Sequence, residues 1–265
     1  MNLQERVLKK VARKFGYQVH KISDSPKKAN NKSSSKRLSD LTDEEKKILE
    51  SVTPFTMTSA ERIISLIRST DYIVKNKILG AIVECGVWRG GSIMATLQSL
   101  LANGENNREI YLYDTFEGMS PPTEKDFKFD GSSAQSLLNT DEKKELVKNN
   151  WCYASLEDVK ENVLSTGYPE SKIHFVEGKV EETIPLNIPD SNIALLRLDT
   201  DWYESTKHEL IHLFPLLDSK GVLIIDDYGH WQGCKKAVDE YFNDLDDQYF
   251  FFRIDYTGRL IIKAG

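Results

Sequence analysis

Two pairs of aspartates that follow two apolar segments are the residues of this chain with the clearest capacity for chemistry. Asp199 and Asp201 come after the apolar run 193–198, and Asp226 and Asp227 come after the run 221–225. The segment between the runs has helical spacing, which predicts a right-handed strand–helix–strand unit whose parallel strands end at one edge of a sheet. Four carboxylates at that edge repel each other unless a cation or a bound proton offsets their charge. Open α/β sheets bind ligands at this edge.

A glycine-rich turn, ECGVWRGGS (84–92), follows the first predicted strand. Glycines let the backbone approach a ligand closely where a helix begins. The turn does not match a dinucleotide-binding loop, because Trp88 and Arg89 occupy it and Glu84 would repel a pyrophosphate. A ligand with an ammonium and a carboxylate group fits better, since Glu84 can bind the ammonium while backbone amides and Ser92 bind the carboxylate. The alternative is an ordinary glycine-rich turn between a strand and a helix.

The next two predicted strands also end in residues that could contact a ligand. Asp114 can accept two hydrogen bonds from a ribose diol, although an aspartate at a strand end is often a turn former or a helix cap. Gly178 could let its segment wrap an adenine ring, and the alternative is a plain turn glycine. After the second aspartate pair, His230 and Trp231 could shape an acceptor pocket, and a structural histidine is the alternative.

The order of apolar segments predicts an α/β fold with a doubly wound, seven-stranded, mostly parallel sheet and an antiparallel C-terminal hairpin. The hairpin turn is Asp255-Tyr-Thr-Gly. The predicted strands are 81–85, 109–113, 173–176, 193–199, 221–226, 249–254 and 260–263. The predicted helices are 92–101, 156–165, 204–217 and 234–244, with earlier helices starting near residues 42 and 59.

The chain divides into three predicted parts. Residues 1–22 form a basic amphipathic helix that docks on its own domain or on a dimer partner, or else contacts a membrane surface. Residues 23–40 contain SDSPKKANNKSSSK and are expected to be a disordered linker. Residues 41–265 form the main domain, in which the long polar stretch 117–150 is expected to be a lid insertion.

The composition narrows the class of protein. The net charge of −6 argues against nucleic acid as a partner, and no apolar run is long enough for a transmembrane segment. The three cysteines are far apart and form neither a disulfide framework nor a zinc motif, which is typical of reduced thiols. We therefore expect a cytoplasmic protein, and the N-terminal helix favours a homo-oligomer.

Four linked motifs together resemble the macrocin O-methyltransferase family of class I S-adenosylmethionine-dependent methyltransferases, which have a Rossmann-like fold. The motifs are VECGVWRGGS (83–92), YDTFEGM (113–119), LDTDWYEST (198–206) and IDDYGHWQGCKKAVDEYF (225–242), preceded by PFTMTSAER (54–62). The resemblance covers about residues 50–263 and leaves out 1–40.

The resemblance implies a role for each matching position. The S-adenosylmethionine site would include Met57, Glu84, Gly86, Ser92, Asp114, Thr115 and Gly178. Asp199, Asp226 and Asp227 would bind Mg²⁺, and Asp201 would be the general base, with Asp199 also taking part in catalysis. Three carboxylates without cysteine or histidine suit a hard cation such as Mg²⁺.

We therefore expect a Mg²⁺-dependent O-methyltransferase that acts on a hydroxyl of a sugar, a glycosylated natural product or a glycan. Coordination of two vicinal oxygens lowers the pKa of a hydroxyl, and Asp201 can then remove its proton. A catechol offers the same vicinal oxygens and is the alternative acceptor. Two other classes stay open, namely a nicotinamide-dependent oxidoreductase and a non-catalytic scaffold of the same fold.

Overall fold

Seven strands form one sheet with the order β3-β2-β1-β4-β5-β7-β6 in a computed structural model that describes residues 39–139 and 151–265. The strands are β1 (Ala81–Cys85), β2 (Ile110–Asp114), β3 (Ile173–Glu177), β4 (Ile193–Leu198), β5 (Leu217–Ile225), β6 (Phe252–Arg253) and β7 (Arg259–Ile262). Strands β1 to β5 pair in parallel, whereas β7 pairs antiparallel with both β5 and β6. The predicted fold class is confirmed.

The helices that surround the sheet also follow the predicted order. They are α1 (Asp43–Val52), α2 (Ala60–Lys75), α3 (Gly91–Ala102), α4 (Ala134–Leu138), α5 (Leu156–Leu164), α6 (Val180–Thr183), α7 (Tyr203–Leu213) and α8 (Gln232–Asn243). Helix α2 begins after Ser59, whose side chain accepts a hydrogen bond from the backbone N–H of Arg62 as an N-cap. Helices α2 and α7 pack against strands of the sheet, and α7 also packs against α8.

The main differences from the predicted boundaries lie on either side of β5 and in the hairpin. Helix α7 ends at Leu213, because the following turn Phe214–Leu216 is a 3-10 helix that contains Pro215, which has no N–H for a helical bond. Strand β5 therefore starts at Leu217 and not at residue 221. Strand β6 has only two residues, since it lies at the sheet edge and pairs on one side only.

The core explains why the site lies where it does. Every residue of β1 and β4 is buried, as expected for parallel strands that are covered on both faces. Strand β1 has β2 on one side and β4 on the other, so the direction of chain winding reverses between them. A crevice opens at such a point beyond the carboxyl ends of the strands.

Three predicted regions fall wholly or partly outside the described residues. The helix at 1–22 and nearly all of the linker at 23–40 lie outside them, as does the part 140–150 of the predicted lid. The described residues from Asp43 onward form one compact unit.

Candidate active site

A cavity of about 470 Å³ opens at the carboxyl ends of the parallel strands. The predicted site residues that line it are Met57, Gly86, Ser92, Asp114, Thr115, Gly178, Asp199, Asp201, Asp226 and Asp227. Glu84 is the predicted site residue that does not line it, because its side chain is buried in β1 and accepts a hydrogen bond from the lining residue Arg197. The fold thus brings ten of the predicted positions to one cavity.

Three of the four aspartates form a cluster that suits a metal ion. Asp199, Asp226 and Asp227 each offer a carboxylate oxygen, and these oxygens lie within 4.8 Å of one another. Oδ2 of Asp227 is buried and has no hydrogen-bond donor among the described residues, which is costly for a carboxylate oxygen. Burial, together with the charges of Asp201 and Asp199, holds the pKa of Asp227 well above its usual range. A hard divalent cation fits this donor set.

Two arginines that the sequence analysis did not assign offset part of the acidic charge. Arg197, in β4, is 3% exposed and donates to Glu84 at 3.0 Å, to Asp199 at 2.7 Å and to Asp226 at 2.8 Å. Arg62, in α2, donates to Asp226 through Nη1. Arg197 could have been found in the sequence, since a lone charged residue inside a buried strand needs charged partners.

The carboxylate of Glu84 binds an arginine of the protein itself. Its Oε1 accepts a hydrogen bond from Arg197, and burial raises the pKa of Glu84 to about 8 despite the attraction of that guanidinium. The sequence analysis assigned Glu84 to a ligand ammonium group. That contact stays a prediction, and the partner that the structure shows is Arg197.

Asp114 joins the glycine-rich turn to the end of β2. Its Oδ2 accepts hydrogen bonds from the backbone N–H groups of Val87, at 2.6 Å, and Trp88, at 3.0 Å, while Oδ1 accepts from Phe116 at 2.9 Å. The carboxylate therefore holds Trp88 in a left-handed conformation, with φ of 47°. This is the turn-forming role that the sequence analysis left open. A carboxylate has about four acceptor positions, so ribose binding stays a prediction.

The glycines of the turn make room for protein backbone. Gly86 has φ of 80°, and a Cβ there would lie 2.0 Å from the carbonyl oxygen of Asp199. A Cβ on Gly91 would lie 2.5 Å from the carbonyl oxygen of Phe55. The expected approach to a ligand is thus not the immediate reason for these glycines, because they let the β4 loop and the segment before α2 pack onto the turn.

Asp201 faces the same cavity in a special backbone conformation. Its φ is 65°, in the left-handed region that aspartate tolerates better than most residues. Its Oδ1 accepts a hydrogen bond from Nε1 of Trp231. Burial, followed by the charge of Asp199, raises the pKa of Asp201 to about 7. Such a group can accept a proton near neutral pH.

The described part of the predicted lid is anchored to both acidic loops. The backbone N–H of Phe129 donates to the carbonyl of His230 at 2.9 Å, and that of Gln232 donates to Phe127 at 2.7 Å. Asp126 is buried and accepts a hydrogen bond at 2.9 Å from the backbone N–H of Tyr203, the first residue of α7. This part of the insertion therefore borders the cavity and caps a helix that follows Asp201.

In the described part of the chain, no helix is both long and apolar enough to cross a membrane. Cys85, Cys152 and Cys234 form no disulfide.

Comparisons with known proteins agree with the geometry. The model of the macrocin-O-methyltransferase (TylF) family matches residues 3–262, so the match begins much nearer the N-terminus than the resemblance over about 50–263. Demethyldecarbamoylnovobiocin O-methyltransferase of Streptomyces niveus is 31% identical over 203 residues, which are 77% of this chain and 73% of that one. The 8-demethyl-8-(2,3-dimethoxy-alpha-L-rhamnosyl)-tetracenomycin-C 4'-O-methyltransferase of Streptomyces olivaceus is 33% identical over 187 residues, or 70% of this chain and 67% of that one.

A solved structure described as the O-methyltransferase NovP superposes with a TM-score of 0.68 and 29% identity, covering 80% of this chain and 83% of that one. The family match covers nearly the whole chain. The chain therefore belongs to the macrocin O-methyltransferase family and is an O-methyltransferase.

Proposed function

We propose that the protein transfers a methyl group from S-adenosylmethionine to a hydroxyl of a sugar, a glycosylated natural product or a glycan, with Mg²⁺ bound beside the acceptor. The observation that carries this proposal is the carboxylate cluster of Asp199, Asp226 and Asp227, which shares one cavity with Asp201 and the glycine-rich turn. The rhamnosyl group in the name of the Streptomyces olivaceus relative supports a sugar acceptor.

The proposed cofactor site lies between the glycine-rich turn and the ends of β2 and β3. The residues that would line it are Met57, Gly86, Ser92, Asp114, Thr115 and Gly178. Glu84 would act beneath them with its carboxylate shared with Arg197. A bound S-adenosylmethionine would supply the electrophilic methyl group that the acceptor oxygen attacks, with its sulfur as the leaving group.

The proposed metal site and base line the same cavity, at the ends of β4 and β5. Asp199, Asp226 and Asp227 would hold the cation, with the unpaired Oδ2 of Asp227 as its most available ligand. When bound, Mg²⁺ polarises the acceptor hydroxyl and lowers its pKa. Asp201 would accept the hydroxyl proton, while Trp231 fixes the carboxylate through its indole N–H. These residues come from the ends of adjacent strands, so the sheet itself holds them in register.

The test is calorimetric titration of S-adenosylmethionine and then of Mg²⁺ into wild type, Asp227→Asn and the control Asp246→Asn, whose side chain is exposed. We expect all three proteins to bind the cofactor, and Asp227→Asn alone to lose Mg²⁺ binding, since it keeps the shape but loses the charge of one ligand. Absence of cofactor binding in wild type overturns the methyl-donor assignment. Cofactor binding with Mg²⁺ affinity equal in all three proteins overturns the metal site.

The acceptor class is tested separately by following S-adenosylhomocysteine formation with panels of sugars, glycosides and catechols. Methylation of a glycoside hydroxyl supports the proposal. Methylation of catechols alone replaces the sugar assignment with a phenolic one.

A further inference from the structure

Three aromatic rings form a cluster that runs outward from the cavity, and we name Phe129, His230 and Tyr256 the aromatic rim. His230 and Tyr256 line the cavity, whereas Phe129 lies beyond them. The ring centroids are 5.8 Å apart for Phe129 and His230, 6.4 Å for Phe129 and Tyr256, and 6.0 Å for His230 and Tyr256. The rim is thus a continuous surface that begins inside the proposed site and ends in solvent.

The rim is held in place by backbone contacts between three separate segments. Phe129 belongs to the turn 128–131 of the predicted lid insertion, which we call the lid turn. His230 belongs to the loop after β5, and Tyr256 to the turn between β6 and β7. The lid turn pairs with the loop after β5 through the bond from Phe129 to His230. Gly229 donates to Thr257 at 2.9 Å, and a Cβ on Gly229 would lie only 1.9 Å from the carbonyl oxygen of Tyr256. Such a surface is preorganised for a ligand.

Two of the three side chains of the rim are more than half exposed to solvent, although the three rings lie close together. Phe129 is 61% exposed and Tyr256 is 54% exposed. His230 is fixed against Tyr256, because its Nδ1 lies 3.0 Å from the hydroxyl oxygen of Tyr256. The rim therefore offers exposed aromatic surface to a neighbouring molecule, with the ammonium of Lys128 5.9 Å from the centre of the Phe129 ring. Aromatic rings bind planar or apolar groups by stacking and edge-to-face contacts.

The size of the cavity indicates which molecule this surface would contact. Pockets for one drug-sized ligand span about 300–1,000 Å³, so a cavity of about 470 Å³ is small for a nucleoside cofactor together with a glycosylated acceptor. Any substituent on that sugar must then leave the cavity, and the rim begins at its mouth. We infer that the aromatic rim is a specificity subsite that binds an apolar or aromatic substituent attached to the acceptor sugar. The inference rests on the proposed function.

The experiment measures binding of glycosides to the protein loaded with S-adenosylhomocysteine and Mg²⁺. The probes are 4-nitrophenyl glycosides of several hexoses and 6-deoxyhexoses, each compared with its methyl glycoside. We expect at least one aryl glycoside to bind about tenfold more tightly than its methyl counterpart, as one or two aromatic ring contacts would provide. The variants are Phe129→Ala and Tyr256→Ala, and the matched control is Phe252→Ala, because Phe252 is 53% exposed and lies in β6 outside the cavity lining.

The inference predicts that Phe129→Ala and Tyr256→Ala each lose most of the preference for the aryl glycoside, while Phe252→Ala keeps it. S-adenosylhomocysteine affinity and thermal stability should be unchanged in Phe129→Ala and Phe252→Ala, because these side chains are exposed and lie outside the cavity lining. Equal binding of aryl and methyl glycosides to wild type overturns the inference, as does a preference that survives both rim substitutions. Failure of wild type to bind S-adenosylhomocysteine counts against the proposed function instead.

Discussion

Replacement of a buried glutamate by glutamine should raise the free energy of unfolding relative to wild type, and this difference should increase with pH. Glu209 lies in α7 and is completely buried, and its Oε1 accepts a hydrogen bond from Oγ1 of Thr200 at 2.9 Å. Burial holds the pKa of Glu209 well above the usual range of a glutamate. The change Glu209→Gln keeps the size of the side chain and an oxygen that can accept the Thr200 bond, but removes the ionisable group.

The sign and size of the effect follow from proton linkage. A glutamate whose pKa is raised in the folded state contributes its full stability below the unfolded pKa, and loses that contribution as the pH rises toward the folded pKa. The loss is at most about 1.4 kcal/mol per pH unit, so it amounts to up to about 2.7 kcal/mol between pH 5 and pH 7. Glutamine has no such loss. The free energy of unfolding of Glu209→Gln relative to wild type should therefore increase over this range.

The assay is urea unfolding at pH 5, 6 and 7, followed by the fluorescence of the four tryptophans. The control is Glu161→Gln, which changes an exposed glutamate of α5 in the same way and should leave the pH dependence of wild type intact. Parallel stability curves for wild type and Glu209→Gln would refute the reasoning, because they would mean that Glu209 is ionised in the folded protein. A uniform loss of stability at every pH would instead report a lost hydrogen bond to Thr200.

Three further substitutions test the contacts of the site. Arg197→Met should lower the free energy of unfolding by about 3–5 kcal/mol, because it leaves buried carboxylates without their partner, and denaturant unfolding measures this. Trp231→Phe removes the donor to Asp201, so the pKa of Asp201 should rise further and the acidic limb of the pH–rate profile should move to higher pH, whereas an unmoved limb contradicts a base role for Asp201. Asp126→Ala should lower stability by about 1 kcal/mol through loss of the cap on Tyr203, measured by thermal unfolding.

The sequence was sufficient to place the acids because their position depends on local patterns. Asp199 follows β4 and Asp226 follows β5, and the length of the crossover between the two strands leaves only the parallel arrangement. The glycine-rich turn and Asp114 follow the same rule for β1 and β2. Strand ends and the order of elements are encoded in short apolar runs, so the edge of the sheet and the residues on it could be predicted.

Apart from Arg197, the partners of the buried aspartates could not be predicted, because they come from distant parts of the chain. Arg62 precedes Asp226 by 164 residues, and Asp126 caps a helix that starts 77 residues later. No periodicity or residue spacing in the sequence indicates either contact. The reason for Gly86 was also hidden, since only the folded chain shows that the carbonyl of Asp199 lies against it. Local patterns thus predict where the acidic side chains lie, and tertiary contacts decide how their charge is shared.

The arginines contact the four aspartates unevenly, and this difference explains why Asp201 and Asp227 are the aspartates best suited to bind a proton or a cation. Arg62 and Arg197 both donate to Asp226, whereas Asp201 and Asp227 receive no salt bridge from any described residue. The pKa is raised for both of these aspartates, and burial is the largest cause in each case. The fold thus places two guanidinium groups against one carboxylate and none against the other two, so under the proposed function these two depend on a proton or a cation. A cation held by Asp227 would favour ionised Asp201 next to it, so the same charge that completes the metal site would prepare the base to accept the acceptor proton.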